Sequence, residues 1–563
     1  MTKNAPAAHR TPVLIVGSGP VGLGLAADLG WRGVPCIIIE QNGPWTRSPR
    51  LMQIGVRTME IARRFGIVDR IKNWGFPGDY PLDNVFLTTL AGHEISRAKM
   101  FTMDTVEPSA VSPEHQGHCP QTWFDPIWQD FALSFATTKL LHRHRLESFV
   151  QDDGGVSARV RNLETGEEVV FEADYLVGCD GVDSGVREAL GIQMRGQALI
   201  DQSASIEFRS TEFLSVHDKG PAGRYIFLKP DGVWATCMAV DGRELWRVLL
   251  YGVTDASSVD PAAVVREFTG RDFAFTIEAC KPWTRRSITA DRYQDDRVFI
   301  AGDACHAHPP NGGLGMNTGM QDAMDLGWKL AAVLKGWAAP ALLDSYDIER
   351  RPCGHRTVEE ATRQFHRLVE ETRCPHIDEE GPLGDAARAG LRAALAPKYD
   401  GVKGWNRLGI HLGYMYDPSP IVVSDGTPTP VDDKFDYVQT SRPGSRAPHA
   451  WLSDGRSTLD LFGRNFALLC FGGSAADVAP LVDAAGVRGM PLDVHEIADQ
   501  SVAQVYERRM VLVRPDGHVA WRGDAIPTEV AGPILDRVTG VGPRSAARTR
   551  IVGVGVGAGH AAP

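Results

Sequence analysis

Several things are missing from this 563-residue chain, and each omission removes a class of function. No stretch of 18 apolar residues occurs, so no membrane-spanning helix is expected. The first residues, MTKNAPAAHR, lack the apolar centre of a secretory leader. Both point to a soluble cytoplasmic protein without a membrane partner. Positive charge is in deficit: 59 Lys and Arg against 70 Asp and Glu leave a net charge of −11, and no long basic run argues for nucleic acid. The nine cysteines are odd in number and include no CxxC pair, so they read as reduced, mostly buried thiols. Neither GxxxxGK[ST] nor GxSxG occurs, which removes the P-loop and the hydrolase elbow. His142/His144 and His306/His308 form HxH pairs without cysteines or carboxylates at ligand spacing, and HEIAD at His495 lacks the second histidine of a zinc-protease helix. No metal is expected.

What is present is a pair of glycine-rich segments about 285 residues apart: GSGPVG at Gly17–Gly22 and AGDACHAHPPNGGLGMN at Ala301–Asn317. The first follows the apolar run Val13–Val16 and precedes Val21, Leu23, Leu25, Ala26 and Leu29, where the spacing changes from strand to helix. In such a strand–turn–helix Gly17 permits the turn, Gly19 admits a pyrophosphate to the backbone, and Gly22 lets helix pack on strand; Pro20 and Val21 open the helix. A second strand, Cys36–Ile39, ends at Glu40, where a carboxylate suits the two hydroxyls of an adenosine ribose and disfavours a 2′-phosphate. This fingerprint alone fits NAD, FAD or a glycine-rich packing turn.

The second segment discriminates. RVFIAG at 297–302 reads as a buried strand and 319–335 as a helix, with a loop between them depleted of side chains at Pro309, Pro310, Gly312, Gly313 and Gly315. Such a loop admits a large flat group to its backbone. Asp303 is placed for a hydroxyl-bearing chain such as ribityl, and the amides near Gly315, Met316 and Asn317 for negative charge at the edge of a reduced flavin. The cofactor expected is FAD.

With these two motifs, and with Asp180-Gly181 and Arg187 in YLVGCDGVDSGVRE, the chain resembles the single-component (class A) FAD-dependent aromatic hydroxylases, the family of para-hydroxybenzoate hydroxylase and the phenol hydroxylases. The likeness covers residues 12 to about 352. PGSRAPHAWLSDGRSTLDLFG near residue 443 is similar to the C-terminal extension of the phenol and polyketide branch. The resemblance implies an α/β fold: a Rossmann-type FAD domain like that of para-hydroxybenzoate hydroxylase, an interleaved β-sheet substrate domain and a C-terminal thioredoxin-like domain. It implies that Asp180 contacts FAD and NAD(P)H, that Arg50 lies by the cofactor, that Gln121 lies near its phosphate or ribityl region, and that Pro310 borders the reactive ring carbon. It also implies hydride transfer from NADPH or NADH to FAD, dioxygen activation at C4a and transfer of one oxygen to a phenolic ring. The same scaffold carries epoxidation or Baeyer–Villiger chemistry on polyketide-like rings, and non-catalytic escort proteins. A halogenase is disfavoured because WxWxIP is missing.

Because the phosphate turn and the ring loop are far apart, the substrate architecture is expected between them. We read 1–75, 121–190 and 291–372 as FAD domain, 76–120 and 191–290 as substrate domain, 373–445 as connector, 446–550 as thioredoxin-like and 551–563 as a flexible tail. Without CxxC the third unit is expected to be structural or to support a homodimer. For the base that ionises the phenol, His118 beside Gln121 is the candidate. Tyr225 and Trp283 are candidate cavity walls, and Arg47, Arg285 and Arg286 read as solvated surface charges.

Overall fold

The computed structural model describes residues 9–44, 52–253, 255–399, 407–542 and 554–555. Its nucleotide fold is a nine-stranded sheet. The fully apolar run inside His9–Val16 lies between Cys36–Glu40 and Glu168–Gly178, all parallel, with Thr138–His142 beyond Cys36–Glu40. Strands buried on both faces need such unbroken apolar runs, because helices cover each side. Pro20–Trp31 supplies one of them and is buried from Gly22 to Gly30, its one charged residue, Asp28, being paired with Arg32. Val298–Ile300 pairs with Leu176–Gly178, and that register brings the chain back beside the first glycine turn some 280 residues later.

A second sheet of eight strands is built from the two inserted regions, with His306–Ala307 at its edge. Asn84–Leu87 runs parallel to Arg224–Lys229 and antiparallel to Glu94–Ala98. The strands Arg224–Lys229, Gly232–Ala239 and Leu245–Leu250 are antiparallel, so lateral rows such as Arg224, Met238 and Arg247 share a face. The pleat sends Tyr225, Cys237, Trp246 and Val248 to the opposite face, where they pack with Val265 and Phe268 of the helix Pro261–Thr269.

The C-terminal unit is a four-stranded sheet ordered Leu492–Ile497, Phe466–Phe471, Met510–Val513, Val519–Gly523, with helices Ala475–Arg488 and Thr528–Val538 packed together on it. The fold is thioredoxin-like, and its one cysteine, Cys470, is free and buried. It shares a core with the cofactor fold: Trp328 and Ala332 of the helix Gly315–Leu334 pack on Phe466, Leu468 and Leu512.

Two expectations change. The region 373–445 is more than a connector, because Pro382–Tyr399 buries Leu391 and Leu395 against Phe86 and Leu228 of the substrate sheet. Of the tail, Val554–Gly555 pairs with Phe149 and Ser148, and the rest lies outside the described residues. Among the described residues no helix is long and apolar enough to cross a membrane.

Candidate active site

At the first glycine turn Gly17 has φ +102° and donates its N–H to the Ile39 carbonyl at 2.8 Å. A Cβ there would lie 2.5 Å from the Cys179 carbonyl oxygen, and one at Gly22 would lie 2.1 Å from that of Gly17, so neither position admits alanine without backbone movement. A Cβ at Gly19 would meet nothing within 4 Å, and no side chain caps the helix that starts there. A bare residue beside uncapped helical amides is an anion cradle. Glu40 ends the second strand and accepts from Ser18 N–H at 2.9 Å and Ser18 Oγ at 3.2 Å, which ties the turn to the strand. Pro20 occupies the first helical turn, and Val21 wedges under Gly302 and Gly319, joining the two glycine segments.

At the second segment Gly302 has φ +66° and donates to Asp322 Oδ2 at 3.2 Å, while Asp303 is exposed and its Oδ1 would lie 3.8 Å from a Cβ at Gly315. Asp322 also accepts from His306 Nε2 at 2.9 Å and Arg350 Nε at 2.8 Å. Burial alone would raise that carboxyl; Arg350 and His306 overcome it and hold it below the usual carboxylate range. The helix begins at Gly315, earlier than residue 319, and no side chain caps it. The Gly315 and Met316 amides are therefore open to a ligand. Asn317 acts through its side chain as well: Oδ1 accepts from Gly55 N–H and Thr58 Oγ1, each at 2.7 Å, and Nδ2 donates to the Gly313 and Gln53 carbonyls. This latch fastens the bare loop to the segment 52–58.

The Asp180-Gly181 segment abuts the same place. Arg187 Nη1 donates to the carbonyls of Val182 at 2.8 Å and Ala304 at 3.4 Å. Asp180 Oδ2 accepts from Val186 N–H, while Oδ1 is buried without a protein partner among the described residues. Burial raises its pKa. An open glycine turn, two uncapped helices and an orphaned carboxylate oxygen fit a dinucleotide carrying a flat ring.

In front of the ring loop lies a cavity of about 260 Å3, bounded by Pro310–Leu314, by the Arg224/Met238/Arg247 face of the sheet and by Gln364 of the helix Ser345–Glu371. His118 lines it through a two-residue strand paired with Gln53–Ile54. Its ring is packed on Phe76 at 4.2 Å between centroids, its Nδ1 has no partner among the described residues, and burial pushes it down to about 4. Gln121 begins the helix Gln121–Leu133 and donates to Asp125 at 2.9 Å; burial pushes Asp125 up to about 7.

Tyr225 is not a cavity wall, because the pleat turns it to the far face, where its hydroxyl donates to the Gly220 carbonyl at 2.6 Å. Trp283 does line the cavity. Arg285 is no surface charge: it is fully buried, paired with Asp201 and stacked between Phe365 and Tyr251. Arg286 pairs with Asp183 at the surface. Arg47 and Arg50 lie outside the described residues. Sequence reasoning missed His411, which lines the cavity from a five-residue helix in the supposed connector; nothing in its neighbourhood marks it.

Residues 10–361 match the family described as FAD binding domain, and residues 440–541 match the aromatic-ring hydroxylase C-terminal family. The chain belongs to the FAD-dependent aromatic-ring hydroxylases. The hydroxylase superposes on RebC, the rebeccamycin biosynthetic enzyme solved with bound 7-carboxy-K252c, with a TM-score of 0.88 and 38% identity over 95% of this chain and 100% of that one. PieE, a flavin-dependent monooxygenase solved with FAD and substrate, gives 0.85 and 32% over 96% and 100%. The tetracenomycin B2 monooxygenase-dioxygenase of Streptomyces olivaceus is 33% identical over 94% of the hydroxylase and 98% of its own length. Both glycine segments and the C-terminal unit thus fall inside regions that define this enzyme family.

Proposed function

We propose that this hydroxylase oxygenates a hydroxylated, electron-rich aromatic ring of the fused, polyketide-like kind, with NAD(P)H as reductant and O2 as oxygen source. The observation that carries the reading is the cavity of about 260 Å3 whose one wall is the bare loop Pro310–Leu314 and whose other walls are mainly apolar. The relatives named for tetracenomycin and for polyketide hydroxylation support the polyketide-like class.

FAD, when bound, accepts a hydride and activates dioxygen. In this reading Gly19 and the amides that follow hold the pyrophosphate, Glu40 the ribose, Asp303 the ribityl chain, and the Gly315 and Met316 amides the ring edge that gains negative charge. Asp180 completes the cofactor contact. Met238, Leu249 and Ile226 press the substrate toward Pro310 and keep water from the reacting atoms. His118, packed against Trp74 and Phe76, lines the cavity and orients a polar group of the substrate.

The test is a panel of phenols from one to four rings, scored by stimulated NAD(P)H oxidation and by product mass. A multi-ring phenol that gains one oxygen with consumption matched to product is the expected result. Oxidation that yields only hydrogen peroxide with every compound would overturn the reading.

A further inference from the structure

The substrate cavity does not end at the ring site. Leu314, Ile410 and His411 wall it on one side and, on their other side, wall a second space of about 10 Å3. That is room for a single water molecule. Its remaining lining is largely polar and includes Thr318 and Thr357, whose hydroxyl oxygens are 3.2 Å apart, and Gln321. Cys353, Arg356 and Tyr414 in turn wall both this space and a wide groove of about 770 Å3 at the surface. Three neighbouring spaces therefore lead from the reaction cavity to the surface groove, each sharing lining residues with the next.

His411 lines the first two of those spaces. It is 5% exposed, and among the described residues its ring nitrogens meet no hydrogen-bond partner. The ring lies against bare backbone: a Cβ at Gly55 would be 2.8 Å from its Nδ1, and Gly55 is the residue latched by Asn317. A buried polar ring with no hydrogen-bond partner among the described residues, shared by the substrate cavity and a water-sized polar space, is placed to pass protons between them. His118 is not so placed, since Trp74 and Phe76 close it in.

We propose that His411 is the acid–base residue of this hydroxylase, taking the proton of the ring hydroxyl and releasing it to the groove through the single-water space beside Thr318, Thr357 and Tyr414. The inference rests on the phenol-hydroxylating reading of the cavity. The substrate O–H bond breaks and its electron pair stays on oxygen, giving a phenolate that is the better nucleophile; the proton bonds to one imidazole nitrogen, and the proton on the other nitrogen passes to the water. No electrons are exchanged in this step.

The charged and titratable groups around His411 are Arg356 paired with Asp432, Arg407 paired with Glu360, Arg57 paired with Glu60 on the neighbouring helix, and Tyr414 and Cys353. Burial first and Arg356 second push the imidazole down to about 4, so at neutral pH the ring is neutral and one nitrogen keeps a lone pair able to accept a proton.

The experiment uses the FAD holoenzyme and the active phenols of the panel, chosen to span weakly to strongly acidic hydroxyls. His411→Gln should keep its flavin absorbance and bind phenol within about threefold of wild type, while the oxygenation rate at pH 7 falls about a hundredfold for weakly acidic phenols. The loss should shrink toward none for phenols already ionised at pH 7, and likewise as pH is raised. Thr357→Val should show a smaller loss, about tenfold, with the same dependence on phenol acidity, and it decides the matter if His411→Gln does not retain FAD. A loss equal for acidic and weakly acidic phenols, or no loss, would overturn the relay. Failure of wild type to oxygenate any phenol would remove the hydroxylase reading itself, and the relay with it.

Discussion

The two ends of the cofactor cleft are built on opposite plans. At the adenylate end most contacts stay within one strand–turn–helix–strand: Gly17 packs on Gly22 and bonds to Ile39, and Glu40 ties back to Ser18, with Cys179 at the end of the neighbouring strand the one support from far along the chain. At the ring end the loop is bare, and what holds it arrives from far along the chain. Asn317 latches to Gly55, 262 residues away, and Asp322 is gripped by Arg350. The same helix is gripped again by the C-terminal unit, whose Arg514 donates to Asp325 at 2.9 Å and to Glu349 at 2.6 Å, with Lys329 bridging both carboxylates. All four side chains are fully excluded from solvent. A phosphate needs a fixed turn, which local sterics supply. A reactive ring needs a loop free of side chains, and such a loop has to be stiffened from outside.

If that contrast is right, the C-terminal unit is a brace for the ring end. Arg514→Met leaves Lys329 to balance Asp325, Glu349 and Asp516, and breaking a buried network of this kind costs about 3–5 kcal/mol. The urea unfolding midpoint should fall accordingly, and a change under 1 kcal/mol would show that the ring end stands without the brace. The second seam of the brace is Glu60, which accepts from Arg446 Nε at 3.1 Å and Arg57 Nη1 at 2.8 Å. Burial would raise that carboxyl, but Arg446 and Arg57 bring it down from 4.5 to about 2. A depressed carboxylate contributes stability that is complete above pH 4.5 and is lost as pH falls to about 2, on the order of 3 kcal/mol. Acid unfolding curves of wild type should therefore slope through that window, and in Glu60→Gln the slope should flatten.

The adenylate end should respond differently to two neighbouring glycines. Gly22→Ala forces a Cβ to within 2.1 Å of the Gly17 carbonyl oxygen and should lower stability by about 1–3 kcal/mol together with FAD retention. Gly19→Ala has open space, so stability should stay within about 0.5 kcal/mol while FAD affinity falls about tenfold. Equal effects of the two substitutions, read by thermal melts and flavin fluorescence, would break the assignment of Gly19 to the ligand and Gly22 to the fold.

This contrast also explains what could be read from residues alone. Gly17, Gly19, Gly22 and Glu40 form one strand–turn–helix–strand within 25 positions, so spacing exposes it. The ring loop is visible for the same reason: PPNGGLGMN is locally deprived of side chains. Its supports are not visible, since no periodicity links Asn317 to Gly55 or Arg514 to Glu349. His411 was hidden in a stretch of ordinary composition whose importance comes only from where Pro382–Tyr399 and the strand face bring it. The Tyr225 assignment failed over parity: Tyr225 and Arg224 are adjacent, strand alternation puts one in the core and the other at the cavity, and which is which depends on the face the flavin loop takes.

That parity can be checked with the mildest substitution of the set. Tyr225→Phe removes one buried hydroxyl and leaves the Gly220 carbonyl without its donor, a loss of about 1 kcal/mol in stability. Because the ring sits among Phe213, His217 and Trp246 on the side away from the cavity, turnover of any accepted phenol should change by less than about twofold. Arg224→Met, one residue away and facing the cavity, should by contrast raise KM for the substrate several-fold. Steady-state kinetics on the pair settles the facing: a large kinetic effect at 225 with none at 224 would mean that the strand presents its other side to the flavin.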